Sequence, residues 1–233
     1  VLVVDDRSSD GTGDEVRRRA DPRLRVLTAE PPPEGWAGKP AACQRGAAEA
    51  EGEWLLFLDA DVKLAPWAVR RAVAVANARS IDLLSLWGTW ALCSFWERVL
   101  IPVIGGFVRA AHPLERVNDP ASAGAFANGQ FMLFEAQAYR AGHGHARVAD
   151  RVLEDVLLGR ALRAEQRSVV LMLAPGAFRV RLYRSLGEIW AGFSKNIYAG
   201  MAHRPSLGAL AAAFIAWTHL GPLALLGVAL AAG

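Results

Sequence analysis

The chain is poor in cysteine and has no concentrated charge of one sign. Its 233 residues include two cysteines, Cys43 and Cys93, which are too few for a disulfide framework and lack metal-ligand spacing. We expect both to be small core residues in a reducing compartment. The formal net charge is only +3, and the arginines and lysines are scattered rather than gathered into a basic stripe interleaved with aromatic residues. Binding to nucleic acid is therefore not favoured.

Several common catalytic and binding motifs are also missing. The sequence contains neither the G-x-x-x-x-G-K-S/T pattern of a P-loop nor the G-x-G-x-x-G pattern of a dinucleotide-binding fold. It has no H-E-x-x-H zinc motif and no G-x-S-x-G nucleophile elbow. We expect the five histidines to be solvated or to support other residues rather than to ligate a metal. Zinc hydrolases and serine hydrolases are therefore disfavoured.

What the sequence does contain is an alternation of apolar runs and amphipathic segments. This alternation predicts an α/β protein with a mostly parallel sheet flanked by helices. The predicted strands are Val1–Val4, Leu24–Thr28, Trp54–Leu58, Leu83–Trp87, Gln130–Phe134 and Val169–Leu173. The predicted helices lie at about Gly13–Arg19, Pro40–Ala50, Pro66–Ala78 and Leu153–Ala164.

The two ends of the chain differ from its middle. Residues Val1–Val4 already read as a buried strand, so we expect an N-terminal strand of the domain to be missing. No residue of 205–233 carries a charge at neutral pH, and the apolar stretch exceeds the roughly 20 residues that span a bilayer. We predict a transmembrane helix there; a buried soluble helix is the alternative. Basic residues before it, among them Lys195 and Arg204, place the preceding domain in the cytoplasm by the positive-inside rule.

A second apolar segment lies near residues 91–111. Its run Val99–Val108 is too short to span a bilayer but unusually apolar for a surface helix. An interfacial segment on the membrane surface would have this composition. A well-buried helix pair is the alternative.

Two carboxylates follow the predicted strand Trp54–Leu58, at Asp59 and Asp61. Ligands bind at the carboxyl ends of the strands in open α/β sheets. Magnesium and manganese prefer oxygen ligands and share them with substrate phosphates, so a D-x-D sequence suits a metal-bound diphosphate. A solvated aspartate that starts a turn is the alternative for each position.

Two further elements leave the predicted sheet at the same edge. Asp5 and Asp6 follow the first strand, and adjacent like charges are costly unless a ligand or a cation compensates them. Lys39 lies in a glycine-bearing loop that leads into a helix, where backbone N–H groups and a lysine suit a diphosphate. A merely solvated loop is the alternative.

In order and spacing, these elements resemble family 2 glycosyltransferases, which have the GT-A fold. The first half carries VDDRSSDGT, GWAGKPAA and FLDADV. The second half carries NGQFMLF at Asn128–Phe134, VLEDVLLGRAL at Val152–Leu162 and SLGEIWAGFSKN at Ser185–Asn196. This arrangement is similar to the membrane-associated members that act on isoprenoid-type lipids, such as the hopanoid-associated and carotenoid (diaponeurosporenoate-type) glycosyltransferases.

The resemblance implies roles on the donor side of the reaction. Asp5 or Asp6 would contact the nucleoside, and Lys39 would lie near the phosphates. Asp59 and Asp61 would form the metal-binding D-x-D, with Asp61 the more direct ligand of a Mg²⁺ or Mn²⁺ cofactor and Asp59 nearer the ribose.

The resemblance also implies roles on the acceptor side. Asp155 matches the general base that takes the proton of the acceptor hydroxyl in an inverting transfer. Glu154, Gln130, Trp190 and Lys195 are candidate acceptor contacts. The Q-x-x-R-W motif of processive members is replaced by Gly187-Glu188-Ile189-Trp190, which favours a single transfer over polymer extension.

The predicted organisation is therefore a GT-A domain at 1–204 followed by a transmembrane segment at 205–233. Within the domain, 1–90 would bind the nucleotide sugar and 91–204, with its interfacial segment, would bind the acceptor.

The implied activity is metal-dependent, inverting transfer of a sugar from a nucleotide-diphosphate sugar to a lipid or isoprenoid acceptor at the cytoplasmic membrane face. Three alternatives stay open: a polyprenyl-phosphate glycosyltransferase, a metal-dependent nucleotidyltransferase, and an inactive membrane-anchored module that binds a nucleotide sugar.

Overall fold

The computed structural model of the protein describes residues 1–19, 21–200 and 206. The chain divides into two compact units, Val1–Leu186 and Gly187–Gly233. The helices are α1 (Thr12–Arg17), α2 (Gly38–Ala48), α3 (Ala68–Ala78), α4 (Phe95–Ala111), α5 (Leu114–Asn118), α6 (Ala136–Ala141), α7 (Glu154–Ala164) and α8 (Leu186–Gly200), with a 3-10 helix at Gly144–Val148. The strands are β1 (Leu2–Asp5), β2 (Arg25–Thr28), β3 (Trp54–Leu58), β4 (Lys63–Leu64), β5 (Leu83–Trp87), β6 (Thr89–Trp90), β7 (Phe131–Glu135), β8 (Val169–Leu173) and β9 (Phe178–Val180).

All six predicted strands and all four predicted helices form, with shifts of a few residues at their ends. The direction of the strands differs from the prediction. The central sheet has the order β3-β7-β5-β8, in which β7 is antiparallel to both neighbours and only β5 and β8 are parallel. The predicted α/β class is confirmed, and the prediction of a mostly parallel sheet holds only in part, because β3, β5 and β8 run in one direction and β7 runs against them. A strand buried on both faces reads as a continuous apolar run whatever the direction of its neighbours.

Two smaller sheets accompany the central one. The parallel pair β1-β2 forms the first, and the second has the order β4-β9-β6, with one antiparallel and one parallel pairing. Their short strands β4, β6 and β9 have two or three residues each, too few to show a periodicity in the sequence.

Apolar clusters cover both faces of the central sheet. On one face, Leu83, Met132 and Phe134 pack with Leu158 and Leu162 of α7. The other face packs on the buried alanines of α3, which are Ala68, Ala72 and Ala76. Because these alanines are small, α3 can lie close to the sheet, and large side chains of the strands fill the space between them.

The strand directions bring three strand ends and one strand start to the same edge. Leu58 at the end of β3 pairs with Phe131 at the start of β7, and Trp87 at the end of β5 pairs with Leu173 at the end of β8. The residues that follow β3 and precede β7 therefore lie together, as the site requires.

Helix α4 holds the apolar segment that we predicted to be interfacial. Ser94 and Glu97 form a capping box at its start, in which each side chain accepts from the other's backbone N–H. One face, with Ile101 and Gly105, is buried, whereas several large apolar side chains are exposed on the other. These are Phe95, Trp96, Val99, Val103 and Phe107.

In the described part of the chain, no helix is both long enough and apolar enough to cross a membrane. The transmembrane helix predicted at 205–233 lies outside the described residues, apart from Ser206. That prediction stays a prediction.

The expectation of two core cysteines is half wrong. Cys43 in α2 is partly buried, but Cys93 is exposed. It lies in the loop between β6 and α4, where its backbone N–H donates a hydrogen bond to Glu97.

Candidate active site

The first turn of α2 carries Lys39 into an acidic cluster. Pro40 is tolerated next to it because the N–H groups of the first helical turn have no partner within the helix. The Lys39 Nζ atom lies 2.8 Å from Asp59 Oδ1 and 2.9 Å from Glu154 Oε1. One ammonium group thus joins the D-x-D element after β3 to the acidic pair that opens α7.

This bridge compensates a buried charge. The side chain of Glu154 is 5% exposed, and an unpaired carboxylate there would be costly. Burial lowers the pKa of Lys39, but the carboxylates of Asp59 and Glu154 outweigh it and raise that pKa above its usual value. The ammonium group therefore stays charged throughout the neutral range.

Asp155 is held by two backbone N–H groups. Its Oδ2 accepts from Gly129 at 2.7 Å and its Oδ1 from Val156 at 2.8 Å. Burial raises the pKa of Asp155 to about 6, the negative charge of Glu154 adds to that shift, and the two N–H groups oppose it. A carboxylate with a pKa near the working pH has the property that a general base needs.

Gly129 allows the backbone to approach both charged groups. A Cβ atom at this position would lie 3.1 Å from Asp155 Oδ2 and 3.2 Å from Lys39 Nζ, which is tighter than most real Cβ contacts. The Asp155 carboxylate and the Lys39 ammonium therefore meet at one short backbone segment. Gln130 follows directly, is buried, and accepts a hydrogen bond from the Asn128 side-chain amide at 3.2 Å.

The residues of the D-x-D differ in their surroundings. Asp59 pairs with Lys39, whereas Asp61 is exposed and has no ion pair among the residues that the structure describes. Partial burial of the Asp61 carboxyl group raises its pKa, and the charge of Asp59 adds to this shift. A cation would relieve that repulsion, so the two carboxylates fit a hard divalent ion.

These two carboxylates do not make a complete metal site. Within residues 1–19, 21–200 and 206, no group of three or more His, Cys, Asp or Glu side chains could hold a metal ion. The phosphates of a substrate would have to supply the remaining oxygen ligands, as they commonly do for Mg²⁺.

Asp5 and Asp6 point to different partners. Asp5 accepts from the Ser8 N–H at 3.0 Å and lies 3.6 Å from Arg17; the Ser8 bonds lower its pKa, and Arg17 adds to the effect. Asp6 lies against the start of α2. A Cβ atom added to Gly38 would come within 2.7 Å of the Asp6 Oδ2 atom. Asp6 is thus adjacent to the helix that carries Lys39, and it also pairs with its neighbour Arg7 at 3.0 Å. Asp5 is held by Ser8 of its own loop and by Arg17 of α1.

Trp190 and Lys195 lie on α8, within the second unit. The side chain of Trp190 is 76% exposed. Their predicted acceptor contacts stay predictions.

The sequence did not reveal a buried polar pair formed by Tyr139 and His145. The Tyr139 hydroxyl lies 2.7 Å from His145 Nδ1 and 3.1 Å from Gln44 Oε1, and the imidazole packs on the Phe57 ring at 4.8 Å between centroids. Burial lowers the pKa of His145 to about 3, with a smaller effect of the Lys39 charge. The imidazole is neutral at pH 7. It packs on Phe57 of β3 and, through the Tyr139 hydroxyl, is linked to Gln44 of α2. No spacing rule would have found it.

Comparison with known families gives the class of protein that the first part of the chain is similar to. Residues 1–91 match the family described as glycosyl transferase family 2, which confirms the predicted resemblance over that part of the chain.

A curated relative extends this similarity along most of the chain. It is the 4,4'-diaponeurosporenoate glycosyltransferase of Staphylococcus haemolyticus (strain JCSC1435), 26% identical over 207 residues that cover 85% of this chain and 53% of the relative. The chain thus spans about half the length of that relative.

Solved structures share the fold at low sequence identity. The mannosyltransferase PcManGT from Pyrobaculum calidifontis, in complex with GDP-Man and Mn²⁺, aligns with a TM-score of 0.58 at 18% identity and covers 100% of this chain and 71% of that one. S. aureus TarS 1-349, in complex with UDP-GlcNAc, aligns with a TM-score of 0.54 at 15% identity, over 81% of this chain and 51% of that one. These likenesses concern the fold.

Proposed function

We propose that this chain transfers one sugar from a nucleotide-diphosphate sugar to an isoprenoid or other lipid acceptor, with inversion. The observation that carries the proposal is the Lys39 bridge, which joins Asp59 of the D-x-D to Glu154, the neighbour of Asp155. In the proposed mechanism the donor and the group that accepts the proton would lie side by side. That is what a displacement at an anomeric carbon requires.

In this proposal Asp155 accepts the proton of the acceptor hydroxyl as the oxygen attacks the anomeric carbon. The N–H groups of Gly129 and Val156 fix the orientation of its carboxylate. Lys39 offers positive charge to the diphosphate, and Asp6, at the start of α2, is the better placed of the two early aspartates to contact the nucleoside.

A divalent cation held by Asp61 and Asp59 would supply charge stabilisation to the departing nucleoside diphosphate. Support comes from the repulsion between these carboxylates and from the Mn²⁺ bound to the archaeal mannosyltransferase of similar fold.

The lipid acceptor is supported by two observations. The curated relative is named for a carotenoid acid, and α4 exposes a row of large apolar side chains that includes Val99 and Val103. We extend the proposal to place this face of α4 on the cytoplasmic surface of a membrane, where Arg98 would meet anionic lipid.

The pH dependence of turnover tests the role of Asp155. Activity should rise with pH through an apparent pKa of about 6, because only the deprotonated carboxylate accepts a proton. Glu154→Gln should shift this acid limb to lower pH, since it removes a negative charge that raises the pKa of Asp155. The measurement is the release of nucleoside diphosphate from a panel of nucleotide sugars, with an isoprenoid acceptor and Mn²⁺.

Glu165→Gln is the matched control at the other end of α7, where Glu165 pairs with Arg147 on the surface. It should leave the acid limb in place. An acid limb that does not move in Glu154→Gln would contradict the assignment of Asp155 as the titrating base.

The membrane contact of α4 can be tested with a dye attached at one position. With Cys43 and Cys93 replaced by alanine, an environment-sensitive label at Val103→Cys should shift its emission to the blue when the protein is reconstituted into phosphatidylglycerol vesicles. The same label at Val69→Cys on α3, where the valine is similarly exposed, should not shift. An emission shift of the same size at both labels would contradict the proposed contact of α4 with the membrane.

A further inference from the structure

A cleft of about 250 Å³ opens on the side of the central sheet that faces α4 and α5. Its floor is apolar, formed by Trp87 at the end of β5 and by Leu171 and Leu173 of β8. Its rim carries polar groups from the end of α4 and from α5, which are Arg109, His112 and Glu115.

The charge around this cleft is predominantly positive. Arg109 lines it, and Arg116 and Arg160 lie close enough to His112 to help lower the pKa of that imidazole, after the larger effect of burial. Among the residues that the structure describes, none of the three arginines has an ion-pair partner. Glu115 is the single carboxylate among the lining residues.

The cleft is coupled by packing to the acidic cluster. The Phe126 ring stacks on Trp87 at 6.1 Å between centroids and packs at a tilt on His112 at 4.8 Å. Gly129, whose N–H holds Asp155, follows three residues later in the same segment. Because neighbouring strands are about 4.8 Å apart, the ends of β5 and β8 lie about 10–15 Å from the end of β3, which precedes Asp59.

We propose that this cleft binds the acidic group and the adjoining apolar part of the acceptor. The inference deepens the proposed function and rests on it, since it assigns the cleft to the same reaction. An apolar floor beside the Arg109 guanidinium, with Arg116 and Arg160 near His112 on the rim, matches an amphiphile with a carboxylate or a phosphate. The volume lies below the roughly 300–1,000 Å³ that encloses a drug-sized molecule, so the remainder of a long lipid lies outside the cleft.

Calorimetric titration with short amphiphiles tests the inference. Octyl phosphate and octanoate, below their critical micelle concentrations, should bind the full chain at least about tenfold more tightly than octanol or inorganic phosphate. The preferred acid identifies the head group as phosphate or carboxylate. Equal binding of octanol and the two acids would overturn the role of the arginines.

Two variants separate the charged and apolar contributions. Arg109→Gln should weaken octyl phosphate and octanoate about tenfold and leave octanol unchanged. Leu173→Ser, at a side chain that is 40% exposed, should weaken every ligand with an octyl chain. Arg70→Gln on α3 is the matched control. It should change neither the affinity for the two acids nor the affinity for octanol. Unaltered affinity in Arg109→Gln, with thermal unfolding like that of the wild type, would place the amphiphiles elsewhere.

Inhibition kinetics distinguish this inference from the proposed function. Octyl phosphate should compete with the lipid acceptor and not with the nucleotide sugar. Competition with the nucleotide sugar would overturn the inference while leaving the proposed function intact. Absence of nucleotide-sugar binding in the presence of Mn²⁺ would instead remove the proposed function itself.

Discussion

Asp155→Asn is expected to lower the rate of sugar transfer by about 10²–10⁴-fold, the usual contribution of a general base. The asparagine amide cannot take the proton of an acceptor hydroxyl. It can keep one of the two backbone hydrogen bonds, from Gly129 or from Val156, so the fold should persist. Binding of the nucleotide sugar should also persist, because Lys39, Asp59 and Asp61 are unchanged. Single-turnover transfer and calorimetric titration of the nucleotide sugar measure the two properties separately.

Asp150→Asn provides the control. Asp150 lies five residues earlier, is exposed, and pairs with its neighbour Arg151 at 3.0 Å. Its replacement should leave both turnover and binding unchanged. If Asp155→Asn transferred sugar at the rate of the wild type, another group would be the base and the proposed mechanism would fail.

Glu97→Ala should destabilise the fold more than any other variant named here, with a fall in melting temperature on the order of 10 °C. Glu97 is fully buried, accepts from the N–H groups of Cys93 and Ser94, and receives two hydrogen bonds from Arg181 at 3.1 and 2.7 Å. Removing it leaves those N–H groups without their acceptor and the guanidinium without this carboxylate. The attachment of α4 at its first turn is lost with it. Thermal unfolding followed by circular dichroism measures the effect.

Two further variants calibrate this loss. Ser94→Ala removes one hydrogen bond of the helix cap and should lower the free energy of unfolding by about 1 kcal/mol. Glu15→Gln removes an exposed carboxylate that also pairs with two arginines, Arg18 and Arg19, and should have almost no effect, because surface ion pairs are weak. A melting temperature for Glu97→Ala equal to that of Glu15→Gln would show that the buried bridge contributes little.

The Glu97 bridge should also make the stability of the fold decrease at acid pH. Arg181, followed by the Cys93 N–H, holds the pKa of Glu97 well below its ordinary value of 4.5. Its contribution is fully present above the pKa of the unfolded chain and is lost as the pH falls toward the folded-state pKa. The melting temperature of the wild type should therefore approach that of Glu97→Ala below about pH 4.5.

The positions of the strands were predictable from apolar runs, but their directions were not. The run Phe131–Glu135 shows that β7 is buried, and burial on both faces is satisfied equally by parallel and antiparallel neighbours. The direction is set by how the chain between β5 and β7 returns, through β6, α4 and α5. No local pattern records that path.

The site shows a similar division. The motifs and the family resemblance drew attention to Lys39, Asp59 and Asp155, which the fold brings into one cluster. The bridge from Lys39 to Glu154 crosses more than a hundred positions of sequence, and no spacing rule predicts a contact of that range. Gly129 was visible only as a letter of the NGQFMLF motif. Its close approach to Asp155 and Lys39 depends on the pairing of β7 with β3, which the sequence does not show.

The central position of β7 has a consequence for how the protein is made. Strand β3, which carries the FLDADV motif, does not pair with β5; each of the two pairs with β7, which the ribosome delivers some forty residues after β5. Until then both strands have unpaired edges of the kind that recruit other chains. A polypeptide ending at residue 91, the span that matches the family, would keep those edges permanently. Synthesis through Glu135 is the point at which the nascent sheet first becomes continuous.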